Sequence, residues 1–143
     1  ISMPRREPRN VMEVRVRLPS IAFRVLATHL GVRRRERRRQ IARILEIIAE
    51  DPSPPLILLG DLNEWNPAGP AWRSLSRLFG DASRRRSFPA RVPALALDRI
   101  LIRPEGLATR FWTANGARMA SDHLPVVTEL DLSRFPAPPV SGV

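Results

Sequence analysis

The sequence predicts an α/β (α+β) domain in which helices cover a mixed, mostly antiparallel sheet. Three stretches carry this prediction: an alternating apolar pattern over residues 12–25, an amphipathic segment over residues 33–51, and a short apolar run over residues 56–59. Alternation with a period of two is typical of a strand, whereas apolar residues three and four positions apart are typical of a helix. With 143 residues, the chain is long enough for one domain with its own core.

The first two strands are predicted to form an antiparallel hairpin. Apolar and charged residues alternate over residues 12–18, Pro19 and Ser20 supply a turn, and the alternation resumes over residues 21–25. The first of these strands is expected to have one buried face. The second continues into residues 27–30 and places His29 at its end.

Residues 33–51 are predicted to form a helix that covers the sheet. The apolar residues Ile41, Ile44, Leu45 and Ile48 form a single stripe at helical spacing. Positive charge at a helix N-terminus is unfavourable, so local stability does not explain the arginines of the opening turns. A solvated face and a dedicated anion site both account for them, and the arginine-rich composition favours the solvated face. These residues are Arg33, Arg34, Arg35, Arg37, Arg38 and Arg39.

The apolar run over residues 56–59 ends at Gly60, and polar residues follow directly. The run follows paired prolines and is typical of a strand buried on both faces. If the backbone stays extended, Asp61 and Asn63 point to the same side of the sheet, in the region where open α/β sheets bind ligands. The alternative is a Gly-Asp turn that only closes the strand.

The rest of the chain is predicted to contain short elements separated by irregular segments. We expect a helix over residues 70–79, an irregular segment over 81–93, and a turn at Asn115-Gly116. Further strands are expected around residues 95–102, 107–113 and 126–130. From Ser133 onward the sequence is rich in Pro, Ser and Gly, so residues 1–132 are predicted to be the domain and 133–143 a disordered tail.

Composition limits the classes of function. The formal charge is +10 and all 24 Lys+Arg positions are arginine, which suits a phosphorylated or otherwise anionic partner, although a general preference for arginine codons also explains it. No apolar run approaches the roughly 18 to 20 residues of a membrane span, so we expect a soluble chain without a transmembrane segment. Cysteine is absent, which excludes disulfides and thiolate metal sites and leaves the compartment open.

Polar side chains occupy the ends of several predicted strands, and they include both histidines of the chain. Any one of them is more simply explained as a structural hydrogen-bonding group, but their co-occurrence favours a shared site. Carboxylate and amide oxygens suit Mg²⁺, and a histidine beside a carboxylate suits proton transfer near neutral pH. The set is His29, Asp61, Asn63, Asp98, Asp122 and His123.

Four segments resemble motifs of the endonuclease/exonuclease/phosphatase superfamily and occur in the family's order. They are Thr28-His29-Leu30, Gly60-Asp61-Leu62-Asn63, Leu97-Asp98-Arg99-Ile100 and Ser121-Asp122-His123-Leu124-Pro125. The resemblance covers roughly residues 11–132 and is closest to functionally broad bacterial members with a Phe-Pro before the Leu-Asp-Arg-Ile segment, as at Phe88-Pro89 here. It implies half of a four-layer α/β sandwich and a phosphoesterase, foremost a phosphodiesterase, that depends on Mg²⁺ or Mn²⁺.

The resemblance also implies a role for each matching residue. His29 would contact a non-bridging phosphoryl oxygen, and Asn63 would help hold the same phosphate. Asp61 would position or deprotonate the attacking water. Asp98 would orient His123, which acts on the phosphate or the nucleophile. Metal contacts are implied for Asp61, Asn63, Asp122 and His123.

The chain departs from the family pattern on its N-terminal side. Family members are larger sandwiches of two similar halves, and the first half supplies an asparagine and the main metal-binding glutamate. Glu7 and Glu13 precede the first matching motif but are not assigned to that role. Half a sandwich would leave a sheet face bare, so a missing N-terminal half, a second chain or a dimer is expected to cover it. Whether this fragment is active without the glutamate stays open.

Three functional interpretations follow. The leading one is phosphodiester hydrolysis, with nucleic acid, a phospholipid headgroup or a soluble phosphate ester as substrate. The second is a basic nucleic-acid-binding module with relic catalytic residues, although the three tryptophans are not interleaved with the basic run as single-strand binding would favour. The third, a purely structural domain, leaves the polar strand-end residues unexplained.

Overall fold

A computed structural model describes residues 1–2, 4, 7–19, 21–52, 55–66 and 68–135, with the side chains of residues 71 and 81 left out. Short 3-10 turns at Asn115–Ala117 and Leu132–Arg134 precede and follow the last strand. The strands and helices in chain order are β1 (Val11–Leu18), β2 (Ile21–His29), α1 (Arg34–Glu50), β3 (Leu56–Asp61), α2 (Pro70–Ser76), β4 (Asp81–Ala82), β5 (Asp98–Arg103), β6 (Ala108–Thr113) and β7 (Val126–Leu130).

The strands form a five-stranded sheet in the order β1-β2-β3-β5-β4 and a separate pair, β6-β7. β1 and β2 are the predicted antiparallel hairpin, β2 and β3 are parallel, and β5 is antiparallel to both β3 and β4. The predicted fold class, a mixed and mostly antiparallel sheet with helices, is confirmed. The parallel β2–β3 pair places the carboxyl ends of both strands at the same edge of the sheet.

The two helices and one face of the sheet form the main core. The apolar stripe of α1 faces the sheet, and burying each large aliphatic side chain contributes about 1.5–3 kcal/mol. Repulsion between neighbouring arginines costs only about 0.2–0.5 kcal/mol per pair, so burial keeps α1 in place despite its basic N-terminal turns. The core consists of Leu26, Leu30, Leu56, Leu58, Leu62 and Leu101 with Ile41, Ile44, Ile48, Trp72, Leu75 and Phe79.

The opposite face of the sheet is covered only in part. Ile57 and Ile102 pack with Phe135 and the β6-β7 pair, but this cover does not extend over β1. Met12, Val14 and Leu18, which we expected on a buried face, are 61%, 42% and 44% exposed. The predicted alternation of β1 is therefore present, but among the alternating apolar residues only Val16 is half-buried. The expectation of burial is wrong for the other three because the described cluster on that face contains no β1 residue.

Two other details differ from the predictions. The segment over residues 81–93 was expected to be irregular, but it contains β4, whose Asp81 and Ala82 pair with β5. At the predicted start of the tail, Asp131 accepts a hydrogen bond from the Ser133 N–H and Phe135 is buried against Phe23, with ring centroids 5.2 Å apart. Residues 136–143 lie outside the described residues, so their disorder stays a prediction. Within the described ranges, no helix is long and apolar enough to cross a bilayer.

Candidate active site

Three of the candidate side chains lie side by side on the three central strands of the sheet, at the edge where β2 and β3 end. Because β2 and β3 are parallel, His29 and Asp61 at their carboxyl ends are register partners. Because β5 runs antiparallel to β3, its first residue, Asp98, lies opposite Asp61. The His29 Nε2 atom is 3.3 Å from Asp61 Oδ2. Strand pairing thus joins three segments that are far apart in the sequence.

Gly60 allows β3 to approach β2 next to these side chains. Its φ is +135°, and a Cβ atom at this position would lie 1.8 Å from the carbonyl oxygen of Thr28. Glycine alone accepts both that dihedral angle and that contact. The glycine that precedes Asp61 is therefore required by backbone geometry.

Asp61 and Asn63 come together through a turn and not through extended backbone. β3 ends at Asp61, and Asn63 has a φ of +50°, so the condition of an extended backbone is not met and the chain turns here, as in the alternative interpretation. The Asn63 backbone N–H donates to Asp61 Oδ1 at 2.8 Å, and Asn63 Nδ2 donates to the carbonyl oxygen of Leu30 at 2.9 Å. Asparagine tolerates this left-handed conformation better than most residues. The first bond closes the turn after β3, and the second ties that turn to Leu30, the residue directly after β2.

The second histidine pairs with Asp98. His123 Nδ1 is 2.7 Å from Asp98 Oδ2, and the His123 ring packs against Phe88 with centroids 4.8 Å apart. Burial disfavours protonation, but the hydrogen bond with Asp98 and the charges of Asp98, Asp61 and Asp122 outweigh it and raise the pKa of His123 above the usual 6.5. The imidazole therefore holds its proton more readily than a free one, and Asp98 fixes its orientation.

All six polar side chains predicted from the sequence line one open cleft of about 470 Å³. Asp122 lies at its exposed rim, where its backbone oxygen accepts a 2.6 Å hydrogen bond from the Ala90 N–H. The structure brings the six residues together, while their individual roles stay predictions. The cleft is lined by Arg9, His29, Val32, Asp61, Asn63, Asp98, Asp122 and His123.

Two of these lining residues were not found by sequence reasoning. Arg9 is buried, its Nη2 is 2.6 Å from Glu7 Oε2, and its Nε has no hydrogen-bond partner among the described residues. Val32 is exposed at the mouth of the cleft. No signal in the sequence separates Arg9 from the many other arginines, because its burial depends on contacts made only in the fold.

Arg37 differs from the other arginines at the start of α1. It is buried, with Nε 3.5 Å from Oε2 of the buried Glu64 and the guanidinium 4.9 Å from the centre of the Trp65 ring. It also donates a hydrogen bond to the carbonyl oxygen of Val32. Arg37 thus fastens α1 to both loops that border the cleft, and its assignment to a solvated face is wrong. The exposed arginines of the cluster are Arg33, Arg34, Arg35, Arg38 and Arg39.

The described residues do not complete a metal site. Asp61, Asn63 and Asp122 offer oxygen ligands of the type that Mg²⁺ prefers. Yet no group of three or more His, Cys, Asp or Glu side chains in the described part of the chain is arranged to hold a metal ion. Since Mg²⁺ takes about six ligands in near-octahedral geometry and usually keeps several waters, waters, substrate oxygens or a further protein group would complete the coordination of a metal bound at this cleft.

The fold and the four motifs correspond to a known family. Residues 4–123 match the endonuclease/exonuclease/phosphatase family, and the chain belongs to this family. Members of the superfamily are hydrolases that act on phosphoester bonds, and they generally use divalent metal ions. The resemblance noted in the sequence is thereby confirmed.

Individual relatives support the same assignment. The chain is 33% identical over 147 residues to the uncharacterized protein YbhP of Escherichia coli K12, a match that covers 92% of this chain and 56% of YbhP. The chain therefore spans little more than half the length of that relative. A Beutenbergia cavernae endonuclease/exonuclease/phosphatase has the same fold, with a TM-score of 0.65, 22% identity, and coverage of 84% of this chain and 38% of that one. Humanized D. rerio TDP2 has it too, with a TM-score of 0.64, 19% identity, and coverage of 84% and 59%.

Proposed function

We propose that this cleft hydrolyses a phosphodiester by in-line attack of water. The observation that carries the proposal is the convergence of six acidic, amide and imidazole side chains from four separate segments on one cleft. Two imidazole–carboxylate pairs, His29–Asp61 and His123–Asp98, border the same space. Paired in this way, the side chains are suited to grip a phosphoryl group and to move protons at the reacting oxygens.

The water oxygen forms the new bond to phosphorus, the bond to the leaving alcohol breaks, and that alcohol takes up a proton from solvent. Asp61 positions the water or accepts its proton. His29 binds a non-bridging phosphoryl oxygen, and Asn63 holds the same phosphate with the amide N–H that is not bonded to Leu30. Both contacts stabilise the charge on the phosphoryl oxygens in the transition state.

The other end of the cleft supplies positive charge. The raised pKa of His123 favours the protonated ring, which donates a hydrogen bond to the phosphate or acts on the nucleophile. Asp98 is a positioning residue, since it touches the imidazole and not the substrate. The buried guanidinium of Arg9 adds a second cation beside the carboxylates, which offsets their repulsion of an anionic substrate.

A requirement for Mg²⁺ or Mn²⁺ is part of this proposal. A divalent cation would neutralise charge on the phosphoryl group. Asp61, Asn63 and Asp122 would contribute oxygen ligands, and His123 would contribute Nε2 only when its ring is neutral, since both nitrogens of a protonated imidazole carry a proton. The set needs completion from outside the described residues. The same proposal includes a second structural part, either a further segment of the protein or another chain, that covers the bare face of β1.

Nucleic-acid binding without catalysis is the second candidate function. It is supported by the exposed arginines of α1, among them Arg34 and Arg38, which form no ion pair with any described residue. Exposed guanidinium groups bind backbone phosphates irrespective of sequence and make affinity strongly salt-dependent. In that case the polar residues of the cleft would be retained from a catalytic ancestor and would no longer catalyse hydrolysis.

Hydrolysis of bis-p-nitrophenyl phosphate distinguishes the two functions. We expect turnover that depends on Mg²⁺ or Mn²⁺, that stops with EDTA, and that falls at least about 100-fold in Asp61→Ala and His123→Ala. Asp98→Asn, which spares the substrate contacts, should lose about 10- to 100-fold. Glu105→Gln removes an exposed carboxylate from the turn between β5 and β6 and serves as the matched control, with an unchanged rate.

Two results would contradict hydrolysis at this cleft. One is a metal-dependent rate that survives both Asp61→Ala and His123→Ala. The other is the absence of turnover together with duplex DNA binding that ignores Asp61→Ala but weakens in Arg34→Gln/Arg38→Gln, with a shallower salt dependence.

A further inference from the structure

A groove of about 500 Å³ lies beside the candidate active site, between the loops at residues 89–92 and 118–122. Asp122 lines both the groove and the cleft, so the two are adjacent. Nothing in the proposed hydrolysis uses this groove. Its lining and its rim nevertheless combine features that suit one kind of partner.

The rim carries the two most exposed large hydrophobic side chains of the described residues. Met119 is 87% exposed and Val92 is 73% exposed, and they come from opposite loops of the same groove. Single exposed hydrophobic residues are common, but two that face one groove beside a candidate active site form a patch. Exposing both to water is unfavourable unless a partner covers them.

Each hydrophobic side chain has an arginine next to it. Arg91 precedes Val92 and Arg118 precedes Met119, both arginines line the groove, and both are exposed. Neither guanidinium forms an ion pair or a hydrogen bond with a described residue, unlike Arg43 and Arg134, which pair with acidic residues on the surface. The rim therefore presents two exposed apolar side chains, each next to an arginine that has no ion-pair partner among the described residues.

The groove is firmly joined to the loop that carries His123. The Ala90 N–H donates to the Asp122 carbonyl oxygen at 2.6 Å, and the Leu124 N–H donates to the Ser87 carbonyl oxygen at 2.8 Å. A surface held by the rim would therefore lie at a fixed distance from His123. A partner docked there would present its own phosphate groups to the cleft.

We propose that this rim docks on the surface of an anionic phospholipid bilayer. Apolar side chains flanked by basic ones are the pattern of peripheral membrane contacts, because the apolar groups enter the interface while the cations stay among the headgroup phosphates. Single-stranded nucleic acid is a poorer match, since no aromatic side chain lines the groove on which a base could stack, and the two exposed apolar side chains have no role in contacts to duplex phosphates. The docking itself does not depend on hydrolysis at the cleft.

Cosedimentation of the full chain with phospholipid vesicles tests this docking. We expect binding to vesicles that contain phosphatidylglycerol and much weaker binding to phosphatidylcholine alone. Arg91→Gln and Arg118→Gln should each weaken binding about fivefold at low salt and less at high salt. The double variant Val92→Ser/Met119→Ser should weaken it at least about tenfold at either salt concentration.

A matched control replaces one apolar and one basic side chain on another exposed surface. Met12→Ser/Arg17→Gln on β1 should keep wild-type vesicle binding, as should Asp61→Ala, so a failure of hydrolysis leaves the docking result intact. The proposal is overturned if vesicles containing phosphatidylglycerol are not bound, if the rim variants bind them as wild type does, or if the β1 variant loses binding to the same extent. Duplex DNA binding that needs the four rim residues, without vesicle binding, would instead assign the rim to nucleic acid.

Discussion

His123 has the clearest electrostatic signature among the residues of the cleft. Its hydrogen bond with Asp98, together with the nearby carboxylates, raises its pKa in the folded protein above the 6.5 of a free side chain. A histidine whose folded-state pKa is raised stabilises the fold fully below its unfolded pKa, and this contribution is lost as the pH rises through the folded-state value. The free energy of unfolding should therefore carry a pH-dependent contribution from this one ring.

His123→Gln removes that contribution and allows it to be measured. In metal-free buffer, we expect the free energy of unfolding of wild type to exceed that of the variant most clearly below about pH 6.5. The difference should shrink as the pH rises through the raised pKa. Urea unfolding at a series of pH values above the carboxylate range gives the comparison, and a difference that is constant or grows with pH would contradict the His123–Asp98 pairing.

The sequence identifies the residues of this cleft unevenly, for a physical reason. Both histidines and the four acidic or amide residues were found because the chain has only two histidines and because all six residues fall in segments that resemble family motifs. The sequence did not indicate that Arg9 and Arg37 are buried, since a buried arginine and a solvated one look the same in an arginine-rich sequence. Only the partners, Glu7 for Arg9 and Glu64 for Arg37, distinguish them.

At the scale of elements, the end of β3 positions the cleft. Gly60 brings β3 against the Thr28 carbonyl group in β2, and the turn that follows β3 brings the Asn63 N–H to Asp61 Oδ1. The parallel pairing of β2 and β3 is what makes His29 and Asp61 neighbours. A change that separates these two strands would therefore disturb both stability and the cleft.

Gly60→Ala tests the role of this close approach. We expect the free energy of unfolding to fall by more than about 2 kcal/mol, because the substitution forces a positive φ on alanine and a clash with Thr28. Gly116→Ala is the matched control, since a Cβ at that position meets nothing within 4 Å, and it should change stability by less than about 0.5 kcal/mol. Equal effects of the two substitutions in thermal or urea unfolding would refute the requirement for glycine at position 60.

Elements with a strong local pattern were predicted from the sequence, and those set by distant contacts were not. The hairpin β1-β2 and helix α1 follow directly from their periodicity. The two-residue strand β4 exists only because β5 lies beside it. In the same way, Asn63 leaves the extended conformation because its side chain bonds to Leu30, more than thirty positions earlier in the chain.

At the scale of the whole molecule, one face of the sheet is covered by helices and the other remains partly open. Alternation in the sequence shows which side of β1 is apolar, but its exposure depends on what packs there. The exposed residues Met12, Val14 and Leu18 form a continuous apolar edge, and such edges favour association with another surface.

Replacing the exposed apolar residues of this edge with threonine should reduce self-association of the 143-residue chain. In Met12→Thr/Val14→Thr/Leu18→Thr we expect less self-association by sedimentation velocity and less binding of a hydrophobic dye, because threonine keeps strand propensity while removing apolar surface. Leu132→Thr, at an exposed leucine outside the edge, is the control and should change neither readout. If the triple variant associates and binds dye as wild type does, the face of β1 is not an unpartnered interface.

The proposal that both histidines bind one phosphate in this cleft is most directly tested by nuclear magnetic resonance of their rings. The chain has only two histidines, so the imidazole ¹⁵N–¹H spectrum reports His29 and His123 without ambiguity from others. On titration with inorganic phosphate in the presence of Mg²⁺, we predict that both rings shift with one common dissociation constant, and that Asp61→Ala weakens both responses. A response of one ring alone, or two unrelated dissociation constants, would contradict a shared site.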